Sequence, residues 1–102
     1  MNHVSIIGQI DGQPTLVYES PNGGEKKLYR ITLKTEKFNP KSPDRNGFDF
    51  INVKIWNSLI QDVETFQDGV IVALEGRIQS FGDGQHNQML NEVLANRFNY
   101  LY

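Results

Sequence analysis

The 102 residues contain no cysteine. Without a thiol the chain can form no disulfide, zinc ribbon or thiol nucleophile, and it suits a reducing compartment. No window approaches the ~18 apolar residues that a membrane span requires. The opening Met1-Asn2-His3-Val4-Ser5 has neither the basic stretch nor the small-residue cleavage site of a signal peptide. A soluble, untargeted, cytoplasmic protein with no membrane partner is expected. An excess of positive charge is missing as well: ten Lys and Arg face twelve Asp and Glu, for a net charge of −2. Any affinity for a polyanion must therefore come from cations grouped on one face rather than from the average. Only two histidines are present, His3 and His86. They lie far apart with no carboxylate at ligand spacing, so no metal site is expected. Asp11, Asp44, Asp49, Glu75 and Asp83 are scattered over turns and strands instead of forming the convergent set a metal-dependent nuclease needs. Ser58 suits a helix cap better than a nucleophile. The sequence predicts no catalytic residue and no cofactor, and hence not an enzyme.

What is present is period-two alternation broken by turn residues, the pattern of an all-β domain. The first strand is expected over residues 2–10, ending at Asp11-Gly12, with a short second limb from Thr15 to Glu19 after Pro14. Pro21-Asn22-Gly23-Gly24 is a turn signal. The second strand runs from Lys27 to Thr35. A long hairpin loop from Glu36 to Gly47, with two prolines and an Asn-Gly, leads to the third strand, Phe48 to Trp56. Between Asn57 and Asp68, the residues Leu59, Ile60, Val63 and Phe66 recur at helical spacing. Ser58-Leu59-Ile60-Gln61 fits a capping box, and Gly69 stands just past the end. A fourth strand follows from Val70 to Ile78, a hairpin tip at Gly82-Asp83-Gly84, and a last strand from about Met89 to Leu101. Gly76 suggests a bend or a close approach. With no repeat or linker, residues 1–102 read as one domain. Three strands, a helix and two strands match the five-stranded antiparallel OB-fold barrel, with its helix between the third and fourth strands.

The third strand carries most of the chemistry. Alternation sends Asp49, Ile51, Val53 and Ile55 to one side and Phe48, Phe50, Asn52, Lys54 and Trp56 to the other. The aliphatic set belongs to the core. If Tyr29, Ile31 and Leu33 of the second strand are also core, then Arg30, Thr32 and Lys34 share the outward face. Every nucleobase offers a π-face to an aromatic ring, and lysine and arginine match the backbone charge, so this mixture suits single-stranded nucleic acid. Burial of the same aromatics by a subunit interface or a loop is the competing role. Phe38, among Lys37, Lys41 and Arg45 in the long hairpin, and Phe81, at the base of the glycine-rich hairpin, could close over a strand or pin their loops to the barrel.

Taken in order, these segments resemble the bacterial single-stranded DNA-binding protein family (SSB). The likeness rests on Met1-Asn2 with Val4, Ile6 and Gly8; on Pro14; on Tyr29-Arg30-Ile31-Thr32-Leu33; and on Phe50-Ile51-Asn52-Val53-Lys54-Ile55-Trp56-Asn57. It continues through Gly69, Leu74-Glu75-Gly76-Arg77-Ile78 and Glu92-Val93, and so spans nearly the whole chain. The resemblance implies stacking of bases on Phe50 and Trp56, with Phe38 and Phe81 matching the family's loop aromatics only approximately. It also implies a homo-oligomer, commonly a tetramer built by pairing first strands. Family members usually carry an acidic C-terminal tail that recruits replication and repair proteins. This sequence stops at Tyr100-Leu101-Tyr102, so a short, tail-less member is expected. The primosomal replication proteins of the B type, tail-less OB dimers related to SSB, are the near alternative.

The expected function is sequence-independent binding of single-stranded DNA in replication, repair or recombination, in the cytoplasm at the nucleoid. The alternative is a primosome-type adapter acting mainly through protein contacts. The expected interface comprises Phe50, Trp56, Lys54, Asn52, Arg30, Thr32, Lys34, Lys37, Phe38, Phe48, Arg77 and Phe81.

Overall fold

The alternating segments form six strands in the computed structural model, which describes residues 1–37, 47–83 and 88–101. They are β1 (Val4–Ile10), β2 (Thr15–Glu19), β3 (Lys27–Glu36), β4 (Phe48–Trp56), β5 (Ile71–Asp83) and β6 (Gln88–Tyr100). The sheet order is β1-β5-β6-β4-β3-β2, and an additional β1–β3 pairing closes five of the strands into a barrel. Within this one six-stranded sheet the strands group as two sets of three, β2-β3-β4 and β1-β5-β6. They meet along two narrow seams. One seam pairs Gln9 with Lys34 and Ile10 with Leu33; the other pairs Val53 with Val93 and Lys54 with Leu94.

Inside lie Ile6, Ile10, Ile31, Leu33, Val53, Ile55, Val72, Leu74, Val93, Ala95 and Phe98. These are the inward positions of each alternating strand, and each fully buried aliphatic side chain stabilises the fold by roughly 1.5–3 kcal/mol. Gly76 sits where the β5–β6 register shifts. A Cβ there would collide with the Leu94 carbonyl and the backbone of Ala95, so of the bend or close approach expected at this glycine the close approach is present.

Two features differ from the antiparallel barrel with a helix. The β4–β6 seam is parallel, so the barrel is mixed. Strand direction follows from the path of the chain across the barrel, which alternation does not encode. The segment after β4 also holds no α-helix: it forms two single 3-10 turns, Asn57–Leu59 and Val63–Thr65. Ile60 between them is extended, and Asp62 adopts a left-handed conformation at φ 50°. Either one breaks an α-helix. Twelve residues are marginal for a helix, and Asn57, Ser58, Asp62, Val63 and Thr65 are indifferent helix formers. Burial of Ile60 and Phe66 therefore dictates the path, and Val63, counted on the helical face, is left 64% exposed.

The caps differ accordingly. Ser58 lies inside the first turn rather than at its cap, a place taken by Trp56 with no side-chain cap hydrogen bond. The Asn57 amide instead accepts from Lys27 N and donates to Glu25 O, tying the end of β4 to the start of β3. The Asp62 carboxylate accepts from the Thr65 hydroxyl, and the Tyr100 hydroxyl donates to the Asp62 carbonyl. Gly69, at φ 90°, ends the segment.

Strand limits shift as well. Strand β1 begins at Val4, while the Asn2 side chain continues the pairing by donating to and accepting from the Ile78 backbone. Strand β5 runs past Ile78 to Asp83, so Gly82 and Asp83 belong to a strand rather than a hairpin tip; Gly84 lies outside the described residues.

Candidate nucleic-acid interface

Antiparallel pairing of β3 with β4 sets the outward residues against each other in rows. Leu28 faces Trp56, Arg30 faces Lys54, Thr32 faces Asn52, Lys34 faces Phe50 and Glu36 faces Phe48. The intervening Ile31, Leu33, Val53 and Ile55 are buried. The split of the two strands into a core face and an aromatic-cationic face is therefore the one that alternation implied.

At one end of this face Phe50 is 58% exposed, and Lys34 Nζ stands 4.1 Å from the centre of the Phe48 ring. This cation–π contact occupies one side of Phe48 and leaves Phe50 the more open of the two platforms. Lys37 continues the edge, with its ammonium 3.8 Å from Asp49. In the middle, the Thr32 hydroxyl donates to the Asn52 side-chain oxygen over 3.1 Å. At the far end Trp56 packs edge-on against Tyr18 of β2, with ring centres 5.8 Å apart. It borders an open cleft lined by Glu25, Lys26, Asn57 and Ser58.

Strands β5 and β6 extend the face. Arg77 lies across from Leu94, which also pairs with Lys54, so Arg77 is exposed on the same side of the barrel. Phe81, expected at the base of the glycine-rich hairpin, belongs to β5, and Lys54 Nζ lies 4.9 Å from its ring centre. The structure thus gathers Phe48, Phe50, Asn52, Lys54, Trp56, Arg30, Thr32, Lys34, Arg77 and Phe81 around one surface, whereas Lys37 pairs with Asp49, in the opposite strand phase to Phe48 and Phe50. Phe38 falls outside the described residues, as do Lys41 and Arg45 of the same hairpin and His86.

One participant escaped the sequence reading. Glu92 of β6 is buried, its side chain only 3% exposed, and it sits between two of the expected cations. Arg30 Nε donates to its Oε2 over 2.9 Å, and Lys54 Nζ lies 2.9 Å from Oε1. The second contact falls outside good hydrogen-bonding geometry, so it is chiefly Coulombic. A carboxylate this deep is tolerated only when paired, because its desolvation costs several kcal/mol. Tyr18 was missed too; as part of a short second limb its place beside Trp56 depends on the β2–β3 register. Among the described residues no group of three or more His, Cys, Asp or Glu is placed to hold a metal ion.

The fold has clear relatives. The chain superimposes on the dimeric N-terminal domain of PriB from Thermoanaerobacter tencongensis with a TM-score of 0.74 at 17% identity, covering 99% of this chain and 97% of that one. The Plasmodium falciparum SSB in complex with single-stranded DNA gives 0.74 at 19% identity, covering 100% and 96%. The Thermus aquaticus single-stranded DNA-binding protein gives 0.72 at 18% identity, with all of this chain matching 50% of that longer one. No curated protein matches by sequence alone. The sequence model of the single-strand binding protein family, however, matches residues 1–100. Together with a closed OB-type barrel that carries aromatics and cations on one face, this match establishes that the chain belongs to the single-strand binding protein family.

Proposed function

We propose that the chain binds single-stranded DNA without sequence preference along the outward face of β3 and β4, by stacking bases on Phe50 and Trp56. The observation that carries this reading is the register that seats the open Phe50 ring beside Lys34 and opens Trp56 onto a cleft. Lys34 and Arg30 would meet phosphates, and Phe81 would flank the bound strand. Stacking is indifferent to base identity, and each stacked base contributes about 1–3 kcal/mol. No chemical step is needed, in keeping with membership of a binding family.

Trp56 is the only tryptophan, so its fluorescence reports one contact of the proposed site. Titration with oligo-dT should quench it strongly at low salt and less at high salt, because counterions released from phosphates set the affinity. Phe50→Ala should weaken binding by about 1–3 kcal/mol. A flat trace, together with wild-type affinity in Phe50→Ala, would reject the face.

A homo-oligomer presenting several such faces is part of the proposal, supported by the dimeric PriB relative; dimer or tetramer is a question for sedimentation. Service in replication, repair or recombination, and residence at the nucleoid, follow from the same binding. A second reading, drawn from the resemblance to the primosomal proteins of the B type, is an adapter that docks a protein on this face. That reading predicts partner binding with little salt dependence and no displacement by oligo-dT.

A further inference from the structure

Arg30 and Lys54 are directly opposed cross-strand neighbours. Like charges in that relation repel, and such a pair is destabilising unless an anion lies between them. Strand β6 supplies the anion. The parallel seam at Val53–Val93 and Lys54–Leu94 brings Glu92 beside the pair, where each of its two carboxylate oxygens meets a different cation.

The two cations are held differently. Lys54 is 19% exposed, with its ammonium enclosed between the Glu92 carboxylate and the face of Phe81. Its charge is answered within the protein. Arg30 is 40% exposed and is gripped through Nε. Among the described residues no oxygen bonds its two Nη groups. A guanidinium can accept such a division because its donors form a rigid fork: one edge is held while the others face outward. An ammonium has no fixed edges to divide.

We propose that Glu92 is a positioning residue of the interface, holding Lys54 as an internal cation and turning Arg30 so that its Nη groups face a phosphate of the bound strand. This rests on the single-stranded DNA reading above. The phosphate contact is made by the free Nη donors of Arg30, while Lys54 answers Glu92 inside the protein, so the cluster makes one phosphate contact. Arg30, not Lys54, supplies it, although sequence alone gives both lysine and arginine the same role.

The test is the slope of log affinity against log salt for oligo-dT, since each phosphate neutralised on a single strand contributes about 0.7 to it. Arg30→Ala should lower the slope by about 0.7. Arg30→Lys should lower it equally despite keeping the charge, because its ammonium collapses onto Glu92. Lys54→Met should keep the wild-type slope. Glu92→Gln should steepen it by releasing the Lys54 charge.

A DNA-free measurement accompanies these. The Arg30 Nε–H resonance should be slow to exchange in the wild type and fast in Glu92→Gln, which a merely structural role for Glu92 elsewhere in the fold would not produce. Should Glu92→Gln fail to fold, the Arg30→Lys and Lys54→Met slopes still decide. Wild-type binding with a lowered slope in Lys54→Met, or an unchanged slope in Arg30→Lys, overturns the positioning role while leaving the DNA reading intact. Failure of the wild type to bind oligo-dT overturns both, whatever the resonance shows.

Discussion

The outward face of β3 and β4 has two unlike halves. Around Phe48, Phe50 and Lys34 it is open: Phe50 is mostly exposed, and Lys34 touches an aromatic ring and forms no ion pair among the described residues. Around Arg30 and Lys54 it is locked, because Glu92 reaches in from the other set of strands. The residue types are nearly the same in both halves. Their availability to a ligand is decided by whether the adjoining strand contributes a carboxylate, and cationic residues should therefore be counted after their internal partners are subtracted.

This contrast can be broken experimentally, and the largest effect should come from the stacking rings at the two ends of the face. Replacing both Phe50 and Trp56 by alanine should lower single-strand affinity by about 2–6 kcal/mol, if the stacking contributions add. Filter binding measures the loss, and circular dichroism should show an unchanged fold. Next in size is Glu92→Ala. Leaving Arg30 and Lys54 opposed without their anion should cost about 1–3 kcal/mol of stability, below the value for a fully buried pair because both cations reach solvent. Urea denaturation reads it directly, and a loss no larger than that of Lys34→Ala would abolish the distinction between the halves. Lys34→Ala itself should change stability by less than about 0.5 kcal/mol, yet lower the salt slope of oligo-dT binding by about 0.7.

The smallest effect lies off the face, at Tyr100. Burial, with a lesser contribution from the Asp62 carboxylate, raises its phenol above the ordinary 10.0. The neutral phenol, which donates to the Asp62 carbonyl, is thus favoured in the folded state. Its stabilisation is complete below the unfolded value and disappears as pH rises through the folded one. Tyr100→Phe should cost about 0.5–1.5 kcal/mol at pH 7, and the difference from wild type should shrink in strongly alkaline buffer when melting temperatures are compared.

These contrasts also mark how far the amino-acid sequence can be read. In β3 and β4 one face is core and the other is not, so period two identifies Ile31, Leu33, Val53 and Ile55 as buried and Phe50 and Lys34 as outward. The connector is different. Leu59, Ile60, Val63 and Phe66 match a helix by spacing, but only Ile60 and Phe66 are buried, on a path bent by Asp62. Tertiary demand there outweighs a weak local preference. Glu92 was opaque for another reason. A glutamate in a strand ordinarily reads as solvated, and its partner Arg30 is 62 residues away. The pairing exists only once β6 runs parallel to β4, and period-two alternation is silent about strand direction.

That parallel seam has a consequence for the dynamics of the molecule. Just two residue pairs join β4 to β6, and two others join β1 to β3, whereas pairing within each of the two strand sets is far more extensive. In native-state hydrogen exchange the two sets should behave as separate cooperative units, with amides along the seams exchanging through the smaller, sub-global openings. The Arg30–Glu92–Lys54 cluster straddles one of those seams. An occupied DNA face would therefore register as slower exchange at Val53 and Val93, residues in the core that no ligand touches.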